Sequence, residues 1–267
     1  LVSSSAASDV YKRQDKYYVP NNMAICISGD FESDSMIELI DKYFGGFESK
    51  EVPNFEVIKE RPIEKIIERS VVGPQAERLY IAFRFPGASS KDIHKLRMAD
   101  MIMSNRTAGL IDLNLNQSQK IIGGGSFPFI LEDYSTHVFY GSPKQNQNLN
   151  EVRDLLVGQI EELKNGNFPD WLMKAIISDL KLEQIKKYEN NQGRANEYVE
   201  AFTLGIEWSE YIQMIDEMSK LNKQDIIDFA NQYYKDNYAV VYKEQGEDIV
   251  EKVTKPLWVC FFVAKLG

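Results

Sequence analysis

Two histidines are the first candidates in this chain for metal or acid–base chemistry. They are His94 and His137, and neither stands in an H-x-x-E-H or H-E-x-x-H pattern, the helical spacings that place two imidazoles on one zinc ion beside a glutamate. Asp133 shares a predicted strand with His137 but lies roughly 13 Å along it, too far to hold the same ion. We interpret both histidines as surface or packing residues, and we predict no catalytic and no metal-ligating residue in this chain.

Nucleophiles and sulfur ligands are equally scarce. Ser135 and Asp133 flank Tyr134 with no base nearby, and the two cysteines, Cys26 and Cys260, lie far apart in the sequence. This spacing supports neither a disulfide framework nor a cysteine metal cluster. The shortage of reactive groups favours a non-catalytic role.

A run of three glycines is the remaining candidate site. Gly123, Gly124 and Gly125 precede Ser126, and the Lys-Ser/Thr pair of a phosphate loop does not follow them. The glycines suit a strand that bends or lies close to another backbone. They would also leave a strand edge bare, to which an extended peptide could add. These four residues are therefore the candidate peptide contacts.

The composition describes an ordinary globular protein and limits its partners. Apolar residues make up 43% and charged residues 27%, while the net charge is −9 and the pI is about 5.0. This acidity argues against a nucleic-acid partner. The apolar run 257–264 is too short to span a membrane, so we expect no membrane partner. Residues 1–14 lack the pattern of a signal peptide, and we expect them to be a non-native artefact.

The elements that must position these residues follow from the apolar spacing. Residues 23–28 and 78–85 alternate as strands do, and so does the stretch from Tyr134 to Gly141. Helical spacing predicts a helix capped by Asp34 and another after Ser90. Further helices are predicted over 109–117 and 152–163, from Pro169 to Tyr188, over 194–204 and 208–219, and from an Asn222–Asp225 capping box to Tyr234. A last strand covers 238–243.

The order of these elements predicts the fold class and the domain boundaries. The helices are grouped between the strands, which favours an α+β fold with helices packed on one face of a mostly antiparallel sheet. Residues 47–74 carry three prolines among charges with no sustained period, and we interpret them as a linker. The main module then covers residues 75–248, and 249–267 form a tail.

A short phrase occurs twice, at a separation of about one domain length. It is Tyr-x-x-Asn, then alanine with a β-branched residue, then glycine with an acid, starting at Tyr18 and again at Tyr234. A repeat at this spacing indicates two copies of one module, of which the first is represented only by its last elements.

Several phrases in order resemble the insulinase/pitrilysin-type zinc metallopeptidases. They are 17–31 (YYVPNNMAICISGDF), 43–45 (YFG), 77–87 (ERLYIAFRFPG), 108–115 (AGLIDLNL), 133–135 (DYS), 141–144 (GSPK) and 242–248 (YKEQGED). The resemblance covers residues 16–256. It implies that 15–46 close a truncated catalytic module and that the 75–248 module is the non-catalytic one that follows.

The resemblance also implies a function for the longer parent. Its catalytic module would hold zinc through H-x-x-E-H, upstream of Leu1, and hydrolyse peptides with a zinc-bound water. The partners of this chain would be that module, the other half of the same polypeptide and the peptide substrate, with the chain forming part of the wall of the peptide chamber. This chain would hold no cofactor and would not cleave peptides alone.

One departure from the family and two alternatives remain open. Distal modules of the family carry an Arg and a Tyr that contact substrate, whereas the stretch 115–123 here (LNQSQKIIG) has neither. Some relatives of this fold are assembly subunits without protease activity, so the parent could be a scaffold. The third possibility is a stand-alone peptide-binding module that uses the strand edge at the glycines.

Overall fold

The computed structural model describes residues 2–53, 57 and 59–247, which divide into two compact units. One unit runs as far as Lys59 and takes in Gln184–Thr203. The other comprises Glu60–Glu183 and continues from Leu204. The second unit contains the sheet and the candidate site. The tail predicted over 249–267 lies outside the described residues.

The helices and strands follow the order predicted for most of the chain. The helices are α1 (Val2–Tyr17), α2 (Ser33–Phe44), α3 (Asp92–Met103), α4 (Leu149–Lys164), α5 (Leu172–Tyr188), α6 (Asn191–Thr203), α7 (Trp208–Tyr211), α8 (Met214–Ser219) and α9 (Lys223–Tyr233). The strands are β1 (Ile67–Gly73), β2 (Arg78–Pro86), β3 (Gly123–Phe129), β4 (Tyr134–Ser142) and β5 (Tyr238–Gln245). A 3-10 turn (Pro20–Asn22) and a π-helical segment (Asp112–Gln117) complete the described elements.

The five strands form one sheet in the order β1-β5-β2-β4-β3. The outer strand β1 runs parallel to β5, and the other three neighbouring pairs are antiparallel. Strand β2 lies at the centre, and its residues Leu79, Ile81 and Phe83 are buried while the residues between them are not. The strict alternation in this sequence therefore marks a strand with one face in the core.

Helices α3, α4 and α9 cover the face of the sheet to which these buried side chains point. The core cluster joins the strands to residues such as Leu96 of α3, Leu156 of α4 and Phe229 of α9. The predicted α+β class, with helices on one face of a mostly antiparallel sheet, is confirmed. We call the opposite side of the sheet the open face.

Local sequence signals set several helix boundaries, and the predicted capping box of α9 is one of them. Asn222 and Asp225 form a complete capping box at the start of α9, and the Asn148 side chain caps α4. Gly166, with φ of +70°, follows the last turn of α4. Helix α5, the longest described, has 17 residues, and no described helix has the length and apolar character needed to cross a bilayer.

Two N-terminal predictions are wrong. Residues 23–28 do not form a strand, although Met23, Ile25 and Ile27 alternate as expected. Strands are stable only beside a neighbour, and the described part of this unit contains no other strand. The three side chains accordingly remain 42–56% exposed. Asp34 is not a cap either, because α2 begins one residue earlier and Glu32 holds the cap position without a side-chain bond.

The linker predicted over residues 47–74 contains a strand of the sheet. Ile67–Gly73 forms β1, which pairs with β5 from Ile67 opposite Ala239 to Gly73 opposite Gln245. Six of its seven residues are exposed, so both of its faces tolerate polar side chains. An edge strand of this kind shows no apolar alternation, which is why the sequence pattern missed it.

Candidate functional site

The four candidate peptide contacts lie on an edge of the sheet. Gly123 to Ser126 form the first half of β3, which pairs only with β4. Gly124 stands opposite Gly141 and Ser126 opposite Phe139. The structure thus places all four residues on one strand whose far side has no neighbouring strand among the described residues.

The side chain of Asn116 occupies part of this edge. Its Nδ2 donates to the Gly124 carbonyl at 2.8 Å, and its Oδ1 accepts from the Gly124 N–H at 2.9 Å. Both outward backbone groups of Gly124 are therefore satisfied. Backbone groups two residues apart point to the same side of a strand, so the next outward positions are Ser126 and Pro128. A peptide could pair with the edge only from Ser126 onward.

The glycines also allow close packing. This agrees with the prediction that the glycine run suits a strand lying close to another backbone. A Cβ on Gly124 would lie 2.8 Å from the Tyr140 carbonyl oxygen, and a Cβ on Gly141 would lie 2.7 Å from Cγ1 of Val152 in α4. A Cβ on Gly123 would meet nothing within 4 Å. Gly124 and Gly141 thus let β3, β4 and α4 approach one another.

A buried polar network links the candidate strand to the core. His137 is fully buried, with Nε2 3.0 Å from Asp100 Oδ1 and Nδ1 2.7 Å from the Tyr234 hydroxyl. The hydroxyl of Ser126 donates to the same Asp100 oxygen at 2.7 Å. A neutral imidazole that donates from Nε2 and accepts at Nδ1 satisfies both partners. Burial, together with the charge of Asp100, raises the pKa of Tyr234 well above its usual value.

The network is arranged for structure and does not activate a nucleophile. Ser126 and His137 both bond the carboxylate of Asp100. Among the described residues, the serine hydroxyl therefore bonds a carboxylate and not the imidazole that would activate it as a nucleophile. Of the two roles expected for His137, surface or packing residue, the structure shows packing, since His137 lies on the buried face of β4 with Ser135 and Phe139. Its two partners were not predictable, because Asp100 lies on α3 and Tyr234 directly follows α9, both far from His137 in the sequence.

The second histidine, His94, lies on α3 and is half-buried. Burial lowers the pKa of His94, the charge of Arg97 lowers it further, and the charge of Glu217 acts in the opposite direction. Within the described ranges, no group of three or more His, Cys, Asp or Glu side chains could hold a metal ion. The described residues therefore do not fit a zinc site.

Comparison with known proteins matches the chain to one family. Residues 6–180, more than half of the chain, match the family model described as Peptidase M16 inactive domain. A zinc protease of Helicobacter pylori, PqqE, is 22% identical over 238 residues, which cover 85% of this chain and 52% of that protein. The chain thus spans about half the length of this curated relative.

Solved structures share the fold. A protease from Helicobacter pylori superposes with a TM-score of 0.83 at 19% identity, covering 89% of this chain and 59% of that one. The first half of the periplasmic protease PqqL from Escherichia coli gives a TM-score of 0.69 at 13% identity, covering 89% and 54%. In both, the fold seen here makes up only part of a longer chain.

Proposed function

The chain belongs to the peptidase M16 inactive domains of the insulinase/pitrilysin type, and from this premise we propose that it forms part of the peptide-chamber wall in a longer zinc peptidase. The family match over residues 6–180 is the observation that carries the proposal. As a non-catalytic module, this chain would bind and position peptide while another module performs hydrolysis.

The partner of this module would be a catalytic module in the same polypeptide. The match to PqqE covers 52% of that protein, so a relative of this kind has room for a second module of similar size. Zinc, when bound to that module, would supply the activated water. Since the described residues of this chain offer no metal-binding group, we assign no zinc ligand here.

Peptide contact would use the outer edge of β3. Asn116 blocks the edge at Gly124, whereas the outward N–H and C=O of Ser126 and the C=O of Pro128 remain in line for a further strand. Pro128 sits at an outward position, where its missing N–H costs no bond within the sheet. Of the four glycine-run candidates, Ser126 is thus the residue whose backbone would pair with peptide.

The parent's coding region provides the first test. We expect an H-x-x-E-H motif upstream of residue 15, and we expect the full-length parent to cleave peptides whereas the 267-residue chain does not. A parent without the motif and without hydrolysis would instead be a non-proteolytic scaffold, which would remove the proposed role.

A second experiment tests whether this module takes part in hydrolysis. The parent carrying Phe127→Asp, a charge placed on the exposed end of β3, should show a raised KM for peptides with little change in kcat, because ground-state peptide binding is weakened. Glu210→Gln on α7 of the same unit provides a control. A KM unchanged by Phe127→Asp would contradict peptide contact at β3.

A further inference from the structure

Two cationic side chains stand directly opposite each other on the open face. Arg78 of β2 pairs in register with Lys243 of β5. Like charges in this position destabilise a sheet. Their recorded polar partners are neutral: Arg78 Nε donates to the Ser142 hydroxyl at 3.3 Å, and Lys243 Nζ donates to the carbonyl oxygens of Gly73 and Gln75. Both positive charges thus lack a carboxylate partner among the described residues.

The whole open face has the same sign of charge. Its alternate strand positions carry four cationic side chains and no acidic one, within the described strands; the four are Arg69, Arg78, Arg84 and Lys243. Only Arg84 has an acid recorded nearby, Glu60 at 3.9 Å. The protein as a whole has a net charge of −9, so this face contrasts with the rest of the molecule. The contrast favours an anionic partner.

An aromatic surface lies beside the cationic pair. The guanidinium of Arg78 stands 5.6 Å from the ring centre of Tyr140, and Tyr80 is the cross-strand neighbour of Tyr140. Phe127 packs 6.2 Å from Tyr140, between ring centres, and remains 43% exposed, as does Phe129. Aromatic side chains of this kind suit apolar or aromatic groups of a ligand.

We propose that the open face binds an extended acidic peptide segment, with a carboxylate between Arg78 and Lys243 and apolar side chains on Tyr80, Tyr140 and Phe127. This inference rests on the proposed role in peptide binding, concerns the open face and not the outer edge of β3, and adds the chemical class of the peptide bound there. The Nη atoms of Arg78 can bind a carboxylate because Nε and the ring of Tyr140 hold the guanidinium in place.

The test compares three peptides that differ only in charge. Extended peptides that alternate valine with glutamate, glutamine or lysine are titrated into the full chain at low salt. The glutamate peptide should bind roughly tenfold more tightly than the glutamine peptide, and the lysine peptide most weakly. Raising the salt concentration should remove most of the advantage of the glutamate peptide.

Two variants test whether the preference for the glutamate peptide depends on Arg78 and Lys243. Arg78→Gln and Lys243→Gln should each weaken binding of the glutamate peptide about tenfold and leave the glutamine peptide unaffected. Lys220→Gln, directly after α8, is the control and should change the binding of neither peptide; its ammonium group pairs with Glu217. The urea midpoint of unfolding of each open-face variant should stay close to that of the unchanged protein, because the loss of its hydrogen bonds is offset by the loss of a like-charge repulsion.

Three outcomes would overturn the inference. Equal binding of the glutamate and glutamine peptides would remove the acidic preference and leave the proposed peptide contact standing. Failure of all three peptides to bind would remove both. A single-stranded oligonucleotide that binds more tightly than the glutamate peptide, with the same dependence on Arg78, would identify a nucleic-acid surface instead.

Discussion

The Nδ1 atom of His137 lies 2.7 Å from the hydroxyl of Tyr234, in the core of the sheet-containing unit. Tyr234 opens the second copy of the repeated Tyr-x-x-Asn phrase. Tyr18, which opens the first copy, is 71% exposed. The same phrase thus occurs in two environments. Among the described residues, only the second copy is packed in a unit that contains a helix-covered sheet.

Removal of the Tyr234 hydroxyl should destabilise the fold. Tyr234→Phe leaves His137 Nδ1 buried without its partner, which should lower the free energy of unfolding by about 1–3 kcal/mol. Tyr18→Phe, the matched change in the first copy, should cost less than about 0.5 kcal/mol. Urea unfolding followed by circular dichroism measures both. Equal effects of the two changes would contradict the role of the hydroxyl in the core.

The two neighbouring glycines of β3 should respond differently to alanine. In Gly124→Ala the new methyl group would lie 2.8 Å from the Tyr140 carbonyl oxygen, so strands β3 and β4 must move apart. We expect a loss of about 1–3 kcal/mol in unfolding free energy. Gly123→Ala, where the new Cβ meets nothing within 4 Å, should cost less than about 1 kcal/mol. The thermal midpoints of unfolding of the two variants measure this difference. Similar midpoints would contradict the close approach of β3 to β4 at Gly124.

Loss of the Asn116 side chain should uncover the edge of β3. Asn116→Ala leaves both outward groups of Gly124 to water and should lower the unfolding free energy by about 1–2 kcal/mol. Amide exchange at Gly124 should accelerate in this variant. Gln117→Ala, which loses one exposed bond to the Thr107 carbonyl, serves as the control. Unchanged exchange at Gly124 would show that the amide is protected by something other than Asn116.

Alkaline titration should reveal the raised pKa of Tyr233. Burial raises the pKa of Tyr233, and the hydrogen bond with Asp92 and the charge of Asp92 raise it further, to about 12. A phenol with a raised folded pKa contributes stability that is present below the unfolded value of about 10 and is lost as the pH rises towards 12. Tyr233→Phe should therefore make the decline in stability between these pH values less steep. A decline as steep as in the unchanged protein would contradict the shift.

The predictable parts of the fold are those in which a local pattern coincides with burial. Strand β2 alternates because one face packs against helices, and α9 begins at a capping box whose two residues are three positions apart. Strand β1 has no such pattern, since both its faces are exposed. Residues 23–28 have the pattern but lack a neighbouring strand in the described part of their unit.

The candidate site was predictable only in its position. The glycine run identified a strand edge, but Asn116, which covers part of that edge, lies on the separate π-helical segment. The pairing of Arg78 with Lys243 depends on the register between β2 and β5, which are neighbours in the sheet but lie far apart in the sequence. The spacing of residues along the chain does not encode such a register. Long-range register therefore sets the limit of what the sequence predicts here.

Incubation of the full chain with the glutamate–valine peptide and equimolar zinc tests most directly whether this module binds peptides without cleaving them. Binding is measured by calorimetry, and the recovered peptide is examined by mass spectrometry. We predict measurable binding and a peptide recovered intact. Cleavage products that disappear when a zinc chelator is added would contradict the assignment of this chain as a non-catalytic module.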